Sequence, residues 1–449
     1  MQTPLKIAVV GSGLVGSLLA IYLKRAGHTV HVYDRSADIR TIKFSGRSIN
    51  LAMSHRGWRT LDEVGLGNEI RKIAIPMDKR AIHIGNELNY QYYGKEGESI
   101  YSISRGGLNQ KMVSLAEAEG VEFFFETRIW DVDLATATLH TGETERGAWV
   151  DLKYDKIFGA DGAFSRIRHR MQRQNRFNYS QEFLPLGYKE LNIPANADGT
   201  HKLDKNSFHI WPRHEFMLIA MPNTDGSFTC TLFMPFEGEN SFDSLTDKET
   251  LEAFFAKHFP STKDVIPKLV EDFFKNPTST LVTVKCFPWT FEDKVALIGD
   301  ACHAIVPFYG HGMNAGFEDI TILNQMMQKY GDDWNTIFKE YEKSRKPDTD
   351  AIAELSYRNF LEMSSKTADD KFHLQKKIEK RFSEKYPDKW LPLYSRVTFS
   401  YRPYSEALAL GDRQKAIMDE VMAMDGINDK WDSPEVDARI IALLAEKAE

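Results

Sequence analysis

Residues 5–16 read Leu5-Lys6-Ile7-Ala8-Val9-Val10-Gly11-Ser12-Gly13-Leu14-Val15-Gly16, a short apolar run that ends in a glycine-rich turn. The run suits a strand buried on both faces of a parallel sheet. Leu14 to Ala26 carries apolar residues at helical spacing, and Gly27 supplies a C-terminal cap. Thr29 to Asp34 reads as a second strand, so the chain opens β-α-β, which requires a right-handed crossover and points to a doubly wound sheet. In the G-x-G-x-x-G turn, Gly11 permits the tight bend, Gly13 lets a pyrophosphate approach the backbone, and Gly16 lets helix pack on strand. The anion would sit on the helix N-terminus, where free N–H groups and the dipole favour negative charge. Asp34 follows Gly16 by 18 residues and offers a carboxylate to ribose hydroxyls.

Working outward, 449 residues allow two or three domains. Hydrophobic residues make up 42% and charged residues 27%, an ordinary globular mixture. The net charge of −7, from 57 Lys+Arg against 64 Asp+Glu, argues against nucleic acid, which wants a basic face. The three cysteines, Cys230, Cys286 and Cys302, are widely spaced and form no C-x-x-C, so a disulfide framework, a metal site and a dithiol centre are disfavoured. Residues 1–6 show no secretory signal pattern, and no apolar run reaches the roughly 18 residues of a membrane span. A cytoplasmic protein without a membrane anchor is expected. Oligomeric state is left open.

From about Phe183 to Phe236, strand-like runs such as Phe216–Met221 and Phe228–Phe233 alternate with turns such as Asn223-Thr224-Asp225-Gly226. This predicts an antiparallel sheet inserted into the α/β domain. Lys294–Gly299 returns to a buried-strand pattern, and a helix is expected from Ala315 to about Lys329. The tail from Pro347 has helical spacing. The expected fold is therefore α/β (α+β overall), with a Rossmann-like nucleotide-binding domain built from 1–75, 101–178 and 284–346. A substrate domain takes 76–100 and 179–283, and a helical C-terminal region takes 347–449.

Two further stretches carry chemistry. Phe158-Gly159-Ala160-Asp161-Gly162-Ala163 follows an apolar strand. Leu297-Ile298-Gly299-Asp300-Ala301-Cys302-His303-Ala304 continues as Pro307-Phe308-Tyr309-Gly310-His311-Gly312-Met313-Asn314. Asp300 after a glycine suits a carboxylate holding a ribityl or ribose hydroxyl. The Gly310, Gly312, Asn314 stretch leads into a helix whose N–H groups would stabilise charge on a reduced flavin. In this order on one chain, the three fingerprints resemble the FAD-dependent aromatic hydroxylase family typified by p-hydroxybenzoate hydroxylase. That family uses NADPH without a second nucleotide domain, and no second G-x-G-x-x-G follows a strand downstream.

Several blocks are similar to the kynurenine-hydroxylating branch of that family: Gly46-Arg47-Ser48-Ile49-Asn50-Leu51-Ala52, Gly187-Tyr188-Lys189-Glu190-Leu191, His209-Ile210-Trp211-Pro212-Arg213, Phe228–Phe236, Glu362-Met363-Ser364-Ser365 and Val397-Thr398-Phe399-Ser400. They span roughly residues 5 to 411, and residues 412–449 match less well. The resemblance implies FAD contacts from Val15, Ala52, Arg105, Met313 and Asn314, beside Gly11, Gly13, Gly16, Asp34, Asp161, Asp300 and Gly312. It places Arg80, Tyr93, Asn359 and Tyr394 at the substrate carboxylate, for which Arg and Tyr hydroxyls give directional, charge-assisted bonds. It implies hydroxylation of L-kynurenine to 3-hydroxy-L-kynurenine with NADPH and O2 through a flavin C4a-hydroperoxide. No side chain is assigned as a catalytic acid or base, and no metal is expected. The alternatives are another FAD-dependent aromatic hydroxylase or epoxidase with a different carboxylate-bearing substrate, or a flavin-binding regulatory protein without turnover. Three positions depart from the family's usual pattern. His311 stands for Gln, Asp34 for Glu, and Arg166 fills a place that is often small or hydroxylic.

Overall fold

The computed structural model describes residues 3–42, 49–85, 87–93, 97–365 and 370–446, with the side chains of 363–365 and 370 left aside. Gly46, Arg47, Ser48 and Gly94 lie outside the described residues. Among the described residues, a six-stranded sheet runs in the order Thr290–Phe291, Val295–Leu297, Lys156–Gly159, Lys6–Val10, Thr29–Tyr33, Glu122–Phe124. Its pairs are parallel except for the first, which is antiparallel. Ile7, Ala8 and Val9 are fully buried at its centre, as an apolar run in a doubly covered parallel sheet must be. Helix Leu14–Arg25 packs on this sheet, and Gly27 closes it at φ +97°, a conformation open to glycine at no steric cost.

A second sheet has seven strands in the order Ser279–Phe287, Asn178–Ile193, Phe228–Pro235, Phe216–Pro222, Ser207–Arg213, Lys79–Ile84, Glu87–Tyr92. Helices Lys248–His258 and Leu269–Lys275 cover one face, around a core of Trp211, Leu218, Phe228, Leu232, Phe255 and Phe259. The sheet is antiparallel save at one point. Ser207–Arg213 runs parallel to Lys79–Ile84, because the latter arrives from a distant part of the chain and no hairpin dictates its direction.

The C-terminal helices Asp370–Lys385, Tyr404–Met422 and Pro434–Glu446 build a core of their own from Ile378, Phe382, Ile417, Val421, Ile440 and Leu443. No helix among the described residues is long and apolar enough to cross a membrane.

All five expected boundaries fall inside continuous elements, those at 75/76, 100/101 and 178/179 inside strands Ala74–Met77, Ile100–Ser104 and Asn178–Ile193. The one at 283/284 cuts strand Ser279–Phe287, and the one at 346/347 cuts helix Trp334–Ser365, in which Pro347 is internal. Proline lacks the N–H a helix interior needs, so it reads as a stop. Here both flanks are pinned. Arg345 bonds to Glu318, Asp319 and the Ala315 carbonyl, while Ile352 and Leu355 pack with Tyr309 and Tyr404. The helix expected from Ala315 begins earlier, at Gly312, and runs to Tyr330. Gly312 and Asn314 are poor helix formers, but Asn314 is fixed by bonds that span three segments, described below.

Candidate active site

The three fingerprints meet at the C-terminal ends of the parallel strands. Gly11 has φ +109°, and a Cβ there would come within 2.4 Å of the Ala160 carbonyl oxygen, so the second fingerprint presses directly on the first. A Cβ on Gly16 would stand 1.9 Å from the Gly11 carbonyl oxygen, whereas one on Gly13 would meet nothing within 4 Å. Gly16 is thus a packing glycine, and Gly13 opens outward. The third fingerprint closes on Val15, because a Cβ on Gly316 would lie 2.7 Å from Val15 Cγ2 and one on Gly299 3.1 Å away.

Gly13 caps helix Leu14–Arg25 without a side-chain hydrogen bond, leaving the first-turn N–H groups free. Asp34 follows its strand directly, and its Oδ2 accepts from Ser12 N and Ser12 Oγ, each at 2.8 Å. Asp161 Oδ2 accepts from Arg166 N at 2.7 Å, while its Oδ1 is buried with no partner. Burial pushes the Asp161 carboxyl above the usual carboxylate range. Asp300, exposed, opens the short helix Asp300–His303. Arg105, also exposed, opens helix Arg105–Ala118.

Asn314 is fully buried. Its Oδ1 accepts from Ser54 N at 2.9 Å, and its Nδ2 donates to the carbonyls of Ala52 (2.8 Å) and Gly310 (3.0 Å). The side chain is consumed in tying strand Asn50–Met53 to the helix start, so only the main-chain N–H of this residue remains for a ligand. Met313 packs against the main core.

A deeper network sits behind that helix. Asp319 Oδ2 takes Gly299 N at 3.1 Å and His303 Nε2 at 2.5 Å, and its Oδ1 takes Arg345 Nε at 2.7 Å. Burial works to raise the Asp319 pKa, but His303 and Arg345 hold it below the ordinary value. Glu318 receives both Arg56 and Arg345.

Of the four expected substrate residues, three gather around one cation. The Arg80 guanidinium lies 4.4 Å from the Tyr394 ring centre and 5.2 Å from that of Tyr93, and the two rings stack at 5.4 Å. Arg80 Nε and Tyr93 Oη are both buried without a hydrogen-bond partner. Burial opposes the Arg80 charge, yet the two tyrosines keep its pKa above the ordinary arginine value, while burial drives the Tyr93 hydroxyl far upward. Ser395 Oγ donates to the Tyr93 carbonyl at 3.2 Å and fixes strand to helix. Ala52, Met77, Phe208, Met221 and Phe399 pack around the same tyrosines.

Asn359 donates to the Phe308 carbonyl at 2.7 Å. Tyr309, to which the sequence reading assigned no role, stacks on Tyr394 at 5.6 Å and so joins the flavin-side loop to the tyrosine cluster. Its signal was its position inside the Pro307–Asn314 stretch. Arg166, whose family position is often small, pairs at the surface with Glu145 at 3.2 Å. The three cysteines are free and buried.

A family model described as an FAD binding domain matches residues 4–356. The chain is 75% identical over 444 residues to a kynurenine 3-monooxygenase of Flavobacterium johnsoniae, covering 99% of this chain and 100% of that one. It is 72% identical over 447 residues to a protein of the same name from Flavobacterium psychrophilum, covering 100% of each chain. The likeness therefore continues through residues 412–449, where the sequence blocks had suggested a weaker match. Among solved structures, 2-methyl-3-hydroxypyridine-5-carboxylic acid oxygenase shares the fold, with TM-score 0.68, 21% identity and coverage of 83% of this chain and 96% of that one. With the fingerprints interlocked in one cradle and these relatives spanning it from end to end, the chain belongs to the kynurenine 3-monooxygenase family of FAD-binding proteins.

Proposed function

We propose that this protein hydroxylates L-kynurenine at ring position 3, using NADPH and O2. The observation that carries the reading is the half-buried Arg80, its buried Nε unpaired, between two tyrosines and beside the segment that Asn314 anchors. A buried guanidinium N–H without a partner is costly, so its presence beside an apolar wall suits an anionic aromatic ligand. An apolar substrate would give no reason for it.

The cradle fits FAD. The open Gly13, the uncapped helix behind it, the unpartnered Asp161 Oδ1 and the free N–H groups of Gly312, Met313 and Asn314 match a pyrophosphate, hydroxyl donors and an anionic ring. Gly11, Gly13, Val15, Gly16 and Asp34 would hold the adenosine and pyrophosphate half. Ala52, Arg105, Asp161, Asp300, Gly312, Met313 and Asn314 would hold the remainder. Bound there, FAD would supply hydride acceptance from NADPH and activation of O2, with one oxygen entering the ring and the other leaving as water.

The protein's own residues bind, orient and exclude water. Arg80 pairs with the kynurenine carboxylate, and Tyr93 and Tyr394 add hydroxyl donors. Phe208, Met221 and Phe399 exclude solvent from the aniline ring. Asn359 holds the 307–309 turn through the Phe308 carbonyl. Arg80 and Tyr93 belong to a substrate domain of residues 76–100 and 179–283. The protein works in the cytoplasm, in keeping with a chain that shows no spanning helix among its described residues. Mixing FAD-loaded protein with NADPH, O2 and kynurenine tests the reading. Kynurenine should accelerate NADPH oxidation and yield 3-hydroxykynurenine, and acceleration without that product would reject it.

A further inference from the structure

His311 is a polar side chain of the flavin-side loop that the reaction leaves unused. It is 2% exposed and caps helix Gly312–Tyr330 with no side-chain hydrogen bond to it. Its Nδ1 lies 2.9 Å from Tyr404 Oη and its Nε2 3.4 Å from Thr398 Oγ1. Thr398 ends helix Leu393–Thr398, which also carries Tyr394, and Tyr404 opens helix Tyr404–Met422. Both ring nitrogens therefore face the C-terminal helices.

Tyr404 is held from its other side. The Arg56 guanidinium carbon sits 3.9 Å from its ring centre, and Arg56 bonds to Glu318 and to the Val397 and Arg402 carbonyls. Glu318 stands on the same helix that His311 caps, so His311, Tyr404, Arg56 and Glu318 close a buried ring around the start of that helix. Burial, with Arg56 nearby, pushes the His311 imidazolium pKa down to about 3, which leaves the ring a neutral spacer over ordinary assay conditions.

We propose that His311, acting through the Tyr404 hydroxyl, is a positioning residue that clamps the first turn of helix Gly312–Tyr330 against the C-terminal helices and so sets how well that turn stabilises reduced, anionic flavin. The N–H groups of Gly312, Met313 and Asn314 have no partner inside the helix, and their effect on an anion falls off within one turn. A small retreat of the turn then weakens the hold on reduced flavin more than on neutral oxidised flavin. The inference rests on the flavin assignment of these residues and not on which aromatic acid is the substrate.

The test is the two-electron midpoint potential of the full-length, FAD-loaded protein in His311→Leu, Tyr404→Phe, the double variant and His311→Gln. His311→Leu and Tyr404→Phe should each weaken reduced against oxidised FAD binding about tenfold, a shift of about 30 mV to more negative potential for a two-electron couple. The double variant should add nothing further, and His311→Gln, which keeps a donor and an acceptor, should move the potential back towards wild type. Tyr404→Phe keeps the ring beneath Arg56 and loses only the hydroxyl, so it carries the test if His311→Leu fails to fold. An unmoved potential in Tyr404→Phe, or shifts that add in the double variant, overturns the clamp. A wild-type protein that holds no FAD at all overturns the flavin reading and the clamp with it, a result its visible spectrum distinguishes from the others.

Discussion

Replacing Arg80 with methionine should separate binding from stability with opposite expectations for the two. In the substrate-free protein Arg80 is half-buried, its Nε is buried and unpaired, and its compensation includes the faces of Tyr394 and Tyr93 at 4.4 and 5.2 Å. Two such contacts return roughly 0.5–2 kcal/mol each, against a cost of about 1–3 kcal/mol for a buried N–H left without a partner. A methionine of similar length fills the space without that cost, so the substrate-free variant should match or exceed wild-type stability, to within about 1 kcal/mol. Kynurenine binding should change far more. Removing one partner of a desolvated charge pair costs about 2–5 kcal/mol, roughly thirty-fold to a few thousand-fold in Kd. Thermal unfolding with and without kynurenine, alongside titration of the flavin absorbance, reads both quantities. At about 100 times the wild-type Kd, ligand adds about 2.7 kcal/mol to wild type, but only about 0.4 kcal/mol to a variant weakened a hundred-fold. A variant that binds kynurenine as tightly as wild type would refute the carboxylate pairing. One that loses several kcal/mol without ligand would show that Arg80 has a structural partner instead.

Further tests address the cradle, the buried network and the location. Gly16→Ala places a Cβ 1.9 Å from the Gly11 carbonyl, so the turn must shift. Purified variant should carry much less flavin per protein than wild type, whose denatured supernatant should contain FAD and not FMN. Asp319 has a depressed folded-state pKa, so its contribution to stability is complete above its ordinary carboxyl value and is lost as pH falls through the folded value. Arg345→Met removes a cation from that site and should cost about 3–5 kcal/mol, and it should move the acid-denaturation midpoint to higher pH. Denaturant melts at neutral and acid pH check both. Full-length protein should remain in the supernatant after high-speed centrifugation without detergent, and recovery only with membranes would contradict a cytoplasmic location.

What could be read from the sequence followed the range of the interactions involved. The β-α-β opening depends on neighbours within Leu5 to Asp34, and strand, turn and helix lie there within a residue of expectation. The start of helix Gly312–Tyr330 does not, because Asn314 is held by Ala52 and Ser54 from far along the chain. Pro347 misled for the same reason, since the bonds that carry the helix through it come from Glu318 and Asp319. Tyr394 stands some three hundred residues from Arg80 and Tyr93, and no local pattern joins it to them, so only family resemblance pointed to the three together. Tyr309 was missed because an aromatic in an apolar stretch reads as core, and its tie to Tyr394 exists only in three dimensions.

Val15 filling the space that a Cβ on Gly316 would take has an evolutionary consequence. Two positions some three hundred residues apart share a single volume, and neither is free to drift alone. Alanine at position 316 meets Val15 Cγ2, yet after Val15→Ala that methyl is gone and the same alanine has room. The order of substitution then decides which lineage survives. Small-to-large change at the helix must wait for large-to-small change at the opening turn, and each intermediate reached the other way passes through a protein with a displaced cofactor cradle.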